Sequence, residues 1–139
     1  IARVQRVMAL SFGAEDFVAV TGGTPRPDVL RHPKLMVHYA AKAEGKLSFG
    51  LLQSIADYAD LEGLADAARE AKAHGFDGAT CIHPSGVPIL NDSFALTEAE
   101  RDWATRVLAA AESSDAAFTL DGRMVDAPVL ARARRILAG

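Results

Sequence analysis

Three apolar segments of strand length alternate with segments that have the spacing of amphipathic helices. The strand segments span residues 4–12, 46–55 and 76–83, and the main helical segments span about 33–44, 61–74 and 97–113. Strands that alternate with helices of this length form parallel sheets with crossover connections, so the sequence predicts an α/β fold. Three βα units are too few for a closed eight-stranded barrel. They predict either an open sheet or the latter part of a barrel.

The first apolar segment ends at a glycine that two acidic residues follow closely. Its nearly continuous apolar character predicts a strand covered on both faces, and Gly13, Glu15 and Asp16 come directly after it. In parallel α/β proteins this end of the strand usually carries the chemistry. Carboxylates there could hold Mg²⁺, and main-chain amides could bind a substrate carboxylate. The sequence is equally compatible with one acid capping a turn and the other being solvated.

Other polar residues have a structural interpretation beside the chemical one. His83 closes the third strand segment and could bind metal or transfer protons, but a histidine that bonds its own loop is favoured. Cys81 is predicted to be a small core residue. Asp126 precedes Pro128 and is predicted to cap a last helix over about 128–137. The other histidines show no metal-ligand spacing, and no role in a functional site is predicted for them: His32, His38 and His74.

Composition narrows the class of protein. The chain has 139 residues, half of them hydrophobic, and a formal net charge of −3, which fits one modest domain. Without a basic stripe, neither nucleic acid nor an anionic membrane surface is expected as a partner. One cysteine excludes an internal disulfide, and no transmembrane or signal segment is recognised, so a cytoplasmic location is expected. The chain begins at Ile1 rather than Met, so it could be part of a longer polypeptide.

Five short segments, in order along nearly the whole chain, resemble the citrate lyase beta-subunit-like family of CoA-ester lyases, which includes malyl-CoA and citramalyl-CoA lyases. They are Phe-Gly-Ala-Glu-Asp-Phe at 12–17, Asp-Leu-Glu-Gly-Leu at 60–64, Gly-Phe-Asp-Gly at 75–78, Cys-Ile-His-Pro-Ser at 81–85 and Asp-Gly-Arg-Met-Val-Asp at 121–126. The resemblance implies a (β/α)8 TIM barrel, of which residues 1–113 would be the last three βα units. Residues 114–139 would be a hairpin-helix extension that packs on a neighbouring subunit.

The resemblance also implies roles for three residues. Asp16 would be a ligand of Mg²⁺, and the backbone amides of Glu15 and Asp16 would bind the carboxylate of a 2-oxo acid product. Asp126 would be catalytic, exchanging the proton at the methyl carbon of acetyl-CoA in a neighbouring subunit's site. The implied protein is therefore a homo-oligomer, a trimer or a multiple of one.

The leading hypothesis is a Mg²⁺-dependent carbon–carbon lyase that cleaves a 3-hydroxyacyl-CoA thioester, of the citramalyl-CoA or malyl-CoA type, to acetyl-CoA and a 2-oxo acid. Two alternatives stay open, a CoA-independent aldolase of the pyruvate class and a non-catalytic subunit or fragment of a citrate lyase-like complex. The family's second metal-binding Glu and its substrate-binding Arg match no segment of this chain. The acyl group of the substrate, whether malyl, citramalyl or citryl, is not assigned.

Overall fold

The computed structural model describes residues 1–54, 59–114 and 116–138. The chain divides into two compact units, Ile1–Phe94 and Ala95–Gly139, which we call the N-terminal and C-terminal units. The sequence-based division fell later, between residues 113 and 114. No helix within the described ranges is long and apolar enough to cross a membrane.

The described residues of the N-terminal unit form two parallel strands and four helices, which is an α/β arrangement. Strand β1 (Ala9–Ser11) pairs with strand β2 (Leu47–Phe49), with Ala9 opposite Leu47. The helices are α1 (Ala14–Thr21), α2 (Pro27–Ala43), α3 (Leu61–His74) and α4 (Gly86–Phe94).

The predicted first strand is shorter than expected, and its first half forms turns. The amide of Val4 donates to the carbonyl of Ile1, and the amide of Val7 donates to that of Val4. Met8 is 78% exposed, so the expectation of a strand covered on both faces is wrong for the described residues. The predicted second strand likewise shortens to β2, and its last residue, Ile55, lies outside the described residues.

The predicted third strand is wrong except for one parallel bridge, between Phe49 and Gly78. The amide of Asp77 donates to the Ser48 carbonyl at 3.0 Å, and the amide of Gly50 donates to the Gly78 carbonyl at 2.9 Å. Within the described residues, the pairing with β2 extends no further than this bridge.

Helix α2 begins six residues earlier than the prediction at Pro33. Pro27 occupies the favoured first-turn position, and Pro33 is tolerated inside the helix. Met36 and Tyr39 are more than half exposed, so they do not belong to the buried face of the helix. The buried residues are Leu30, Lys34, His38 and Ala41.

Helix α3 confirms the prediction at both ends. The side chain of Asp60 accepts from the Gly63 amide, and Gly75 ends the helix in the left-handed conformation with φ +92°. Helix α4 was not predicted, since that stretch was interpreted as irregular. The core of the unit lies around α3, and its buried members are Leu51, Leu52, Ala67, Ala68, Ala71, Phe76 and Leu90.

The C-terminal unit is a helix, a hairpin and a second helix. Its elements are α5 (Glu98–Ala111), β3 (Phe118–Leu120), β4 (Arg123–Val125) and α6 (Ala127–Ala138). Thr97 and Glu100 form a capping box at the start of α5, within the helical segment predicted at about 97–113. Asp121 and Gly122 both have positive φ, which suits the tight turn of a two-residue hairpin.

Helices α5 and α6 share a core within the C-terminal unit. The fully buried Val107 of α5 packs with Val125 of β4 and Ala133 of α6. The guanidinium of Arg132 also lies 4.1 Å from the ring centre of Trp103. This shared core explains why the compact unit begins before α5 rather than after it.

Candidate functional site

The end of β1 leads directly into the N-terminus of α1. Gly13 is the N-cap residue and has no side chain to cap the helix, and the first helical bond runs from the Phe17 amide to the Gly13 carbonyl at 3.1 Å. The amides of the first turn, which include those of Glu15 and Asp16, have no carbonyl partner within the helix. They carry the partial positive charge of the helix end. This turn can therefore bind a small carboxylate.

The side chain of Asp16 lies back over Gly13. A Cβ atom at position 13 would stand 2.8 Å from the Asp16 Oδ2 atom, so glycine leaves the room that this carboxylate occupies. Asp16 is exposed, and a carboxylate oxygen is the type of ligand that Mg²⁺ prefers.

The neighbouring acid, Glu15, has a partner from the other strand. The Ser54 hydroxyl donates a hydrogen bond to Glu15 Oε1 at 2.7 Å. Ser54 lies shortly after β2, so this bond joins the segments that follow the two parallel strands. Ser54 was not predicted as a site residue, and a lone serine in a loop carries no sequence signal for such a contact.

Lys34 is the second residue near the site that sequence reasoning missed. It is only 6% exposed, and its Nζ donates to the carbonyl of Leu51 at 2.8 Å and to that of Gln53 at 2.7 Å. Burial lowers the pKa of Lys34 to about 8, while the negative charge of Glu15 acts in the opposite direction. The available signal was its four-residue spacing from Leu30, which places both on one helix face.

The end of β1 supplies only some of the ligands that a magnesium ion needs. Among the residues that the structure describes, no group of three His, Cys, Asp or Glu side chains could hold a metal. Asp16 offers one exposed carboxylate beside amides that have no partner within the helix. Mg²⁺ is commonly held by one or two carboxylates together with water and substrate oxygens, so the donor chemistry fits while further ligands must come from elsewhere.

His83 bonds its own loop, as the favoured interpretation held. Its Nδ1 lies 2.8 Å from the Ser85 hydroxyl, and the Ser85 amide donates to the same nitrogen at 3.3 Å. Cys81 is exposed, so its prediction as a core residue is wrong. The cause is the lost third strand, because Cys81 follows the last bridge and its thiol donates to the His83 carbonyl.

Asp126 lies in the C-terminal unit, between β4 and α6. Its Oδ1 accepts from the Val129 amide at 3.3 Å, so the predicted cap of the last helix is confirmed. The side chain is half-buried. Of the two residues before it, Val125 is buried, whereas Met124 is 68% exposed.

Comparison with known proteins gives matches along the whole chain. Residues 1–84 match the family model described as HpcH/HpaI aldolase/citrate lyase. The citrate lyase subunit beta-like protein of Mycobacterium tuberculosis is 38% identical over 144 residues, which cover 99% of this chain and 52% of that protein. The mitochondrial citramalyl-CoA lyase of Mus musculus is 34% identical over 135 residues, 93% of this chain and 39% of that protein.

The solved structures with a similar fold are also citrate lyase-type proteins. The crystal structure of protein CitE from Mycobacterium tuberculosis, in complex with magnesium, acetoacetate and coenzyme A, superposes with a TM-score of 0.86 at 39% identity, covering 99% of this chain and 54% of that one. A citrate lyase from Burkholderia xenovorans gives a TM-score of 0.82 at 26% identity. The chain spans about half the length of the relatives that it matches.

Proposed function

The chain belongs to the HpcH/HpaI aldolase/citrate lyase family, and we propose that the protein is a Mg²⁺-dependent carbon–carbon lyase. The proposed substrate is a 3-hydroxyacyl-CoA thioester of the citramalyl-CoA or malyl-CoA type. The products are acetyl-CoA and a 2-oxo acid such as pyruvate or glyoxylate.

The observation that carries this proposal is the turn at residues 13–16. It combines first-turn amides, which have no partner within the helix, with an exposed carboxylate over a glycine. A 2-oxo acid presents a carboxylate and an adjacent carbonyl oxygen. In the proposal the amides of Glu15 and Asp16 bind the carboxylate, and the side chain of Asp16 is one ligand of Mg²⁺. When bound, Mg²⁺ supplies positive charge where negative charge develops on the oxygen of the oxo acid half.

Asp126 has the proposed catalytic role. Cleavage releases the proton of the 3-hydroxyl group to solvent as that oxygen becomes the carbonyl of the 2-oxo acid, and the electrons of the broken carbon–carbon bond pass to the thioester half as an enolate. The methyl group of acetyl-CoA then needs a proton at carbon, which a positioned carboxyl group can deliver. We place Asp126 there, on an extension over residues 114–139 that reaches the site of a neighbouring copy in a homo-oligomer such as a trimer. A cytoplasmic location belongs to the same proposal.

The relatives support the ligand classes in this proposal. The CitE structure is described as holding magnesium, acetoacetate and coenzyme A, and the mouse relative is named a citramalyl-CoA lyase. The family description also includes aldolases, which keeps a CoA-independent aldolase of the pyruvate class as the second candidate. The third, a non-catalytic subunit of a citrate lyase-like complex, fits the partial ligand set at Asp16.

An acetyl-CoA release assay on the intact protein tests the proposal. Malyl-CoA, citramalyl-CoA and citryl-CoA are supplied with Mg²⁺ and, in parallel, with a chelator. We expect release from at least one thioester that stops when the metal is removed. Release from none of them contradicts the lyase proposal. Cleavage of a free 4-hydroxy-2-oxo acid instead identifies the aldolase, and no cleavage of either class identifies the non-catalytic subunit.

A further inference from the structure

Lys34 is buried on the face of α2 that packs against the strands. Its ammonium group donates to two carbonyls of one short segment, those of Leu51 and Gln53. Removing a charged group from water is costly unless hydrogen bonds compensate. Because the buried Lys34 donates both of these hydrogen bonds to one loop, it restrains the conformation of that loop, residues 51–54.

The same ammonium group faces the segment that follows β1. It lies 6.0 Å from the ring centre of Phe12, and the Phe12 ring packs on that of Phe17 in α1 at 5.0 Å between centres. The charge of Glu15 is also close enough to act on Lys34. Lys34 thus contacts both segments that follow the parallel strands.

The loop held by Lys34 bonds back to the candidate site. Ser54 follows Gln53 directly, and its hydroxyl donates to Glu15. A rigid Gln53 carbonyl therefore sets where the Ser54 hydroxyl stands, and Ser54 in turn holds the first turn of α1.

We propose that Lys34 is a positioning residue for the candidate site, fixing residues 51–54 so that Ser54 meets Glu15 and the turn at residues 13–16 keeps its place. Lys34 itself touches neither substrate nor metal. Its effect on catalysis rests on the proposed function, whereas its effect on the geometry of the turn does not.

The test uses four variants of the intact protein. Lys34→Met removes the ammonium group at similar length, and Lys34→Arg keeps positive charge and donors. Ser54→Ala removes the hydroxyl that donates to Glu15 and leaves Lys34 in place. Lys42→Met is the matched control, because Lys42 lies on the same helix and pairs with Asp77 instead. Hydrogen exchange is measured by mass spectrometry over residues 13–21 and 50–54, together with the Mg²⁺ concentration that gives half-maximal acetyl-CoA release.

For Lys34→Met we expect exchange about tenfold faster in both segments and a Mg²⁺ requirement about tenfold higher, as expected for the loss of net hydrogen-bond stabilisation. Lys34→Arg should bring the exchange rates and the Mg²⁺ requirement most of the way back to the wild-type values. Ser54→Ala should speed exchange over residues 13–21 but not over 50–54. Lys42→Met should leave exchange in both segments at the wild-type rate.

Unchanged exchange over 13–21 in Lys34→Met would overturn the proposal, and so would equal effects of the two Met variants. If Lys34→Met does not fold, wild-type exchange over 13–21 in Ser54→Ala overturns it. If the wild-type protein releases no acetyl-CoA, only the proposed function is contradicted, because the exchange pattern still tests the role of Lys34.

Discussion

The two units pair their strands in different ways. In the N-terminal unit β1 pairs with β2 across two intervening helices. In the C-terminal unit β3 pairs with β4 across a two-residue turn, and the helices on either side close over the hairpin. Pairing of distant segments depends on what packs around them, whereas a hairpin is specified by its own turn. The comparison separates local from distant determinants of this fold.

The largest effect is expected from Asp126, which tests whether the C-terminal unit supplies chemistry. Asp126→Asn should lower the rate of acetyl-CoA release by about 10²–10⁴-fold, the usual contribution of a positioned proton donor. The helix should stay capped, because asparagine caps as well as aspartate. Release is measured beside the thermal unfolding curve. Full activity of the variant would remove Asp126 from catalysis and favour the aldolase.

What could be predicted follows the same division between local and distant interactions. The helices predicted at 61–74 and 97–113 begin at caps that lie within a few residues, Asp60 and Thr97, and the turn at residues 121–122 is equally local. The predicted third strand depended on pairing with β2, a distant segment, and within the described residues the two meet only at the bridge between Phe49 and Gly78. No pattern near residues 76–83 could indicate how far that pairing extends.

The candidate site was predicted in part for the same reason. The strand end and its two acids are adjacent in sequence, so Gly13 and Asp16 could be named together. The contacts of Ser54 with Glu15 and of Lys34 with Gln53 join segments that only the fold brings together. The roles of Asp16 and Asp126 stay predictions, which the variants described here address.

Core substitutions should show whether the two units lose stability separately. Leu52 is 1% exposed in the N-terminal core, and Leu52→Ala should cost about 2–5 kcal/mol there. Val107→Ala, at a position 1% exposed in the C-terminal core, removes less apolar surface and should cost less. Hydrogen exchange read peptide by peptide measures both. Equal loss of protection in both units from either substitution would contradict their independence.

A pH effect on stability should be confined to the N-terminal unit. Burial, then the nearby Lys42 charge, lowers the pKa of His38 below its usual 6.5. The hydrogen bond with the His74 backbone and the charge of Asp77 raise this pKa, whereas the charge of His74 lowers it slightly further. The unfolded chain therefore binds a proton more readily than the folded one, and stability falls as pH drops through 6.5.

The measurement compares unfolding free energies between pH 5 and 8 for wild type and His38→Gln. The substitution should remove most of the loss at low pH. The C-terminal unit contains no histidine, so its protection should stay level over the range. An unchanged slope in His38→Gln would assign the effect to other groups.

The smallest expected effect concerns the capping box of α5. Thr97→Ala removes a hydroxyl that accepts from the Glu100 amide at 3.2 Å, and the loss should be about 1 kcal/mol. Thr105→Ala, an exposed position within the same helix, is the control and should be neutral or slightly stabilising because alanine favours helix. Equal effects at both positions would show that the cap contributes nothing specific.

The central claim is that Asp16, at the end of β1, holds the metal on which cleavage depends. It is tested most directly by the Mg²⁺ dependence of acetyl-CoA release in the wild type, Asp16→Asn and Glu15→Gln. We expect Asp16→Asn to need at least about 100-fold more Mg²⁺, since even residues that only support a ligand commonly contribute 10–100-fold. Glu15→Gln, which keeps the main-chain amide, should stay within a few-fold of wild type. An unchanged Mg²⁺ requirement in Asp16→Asn would contradict the claim.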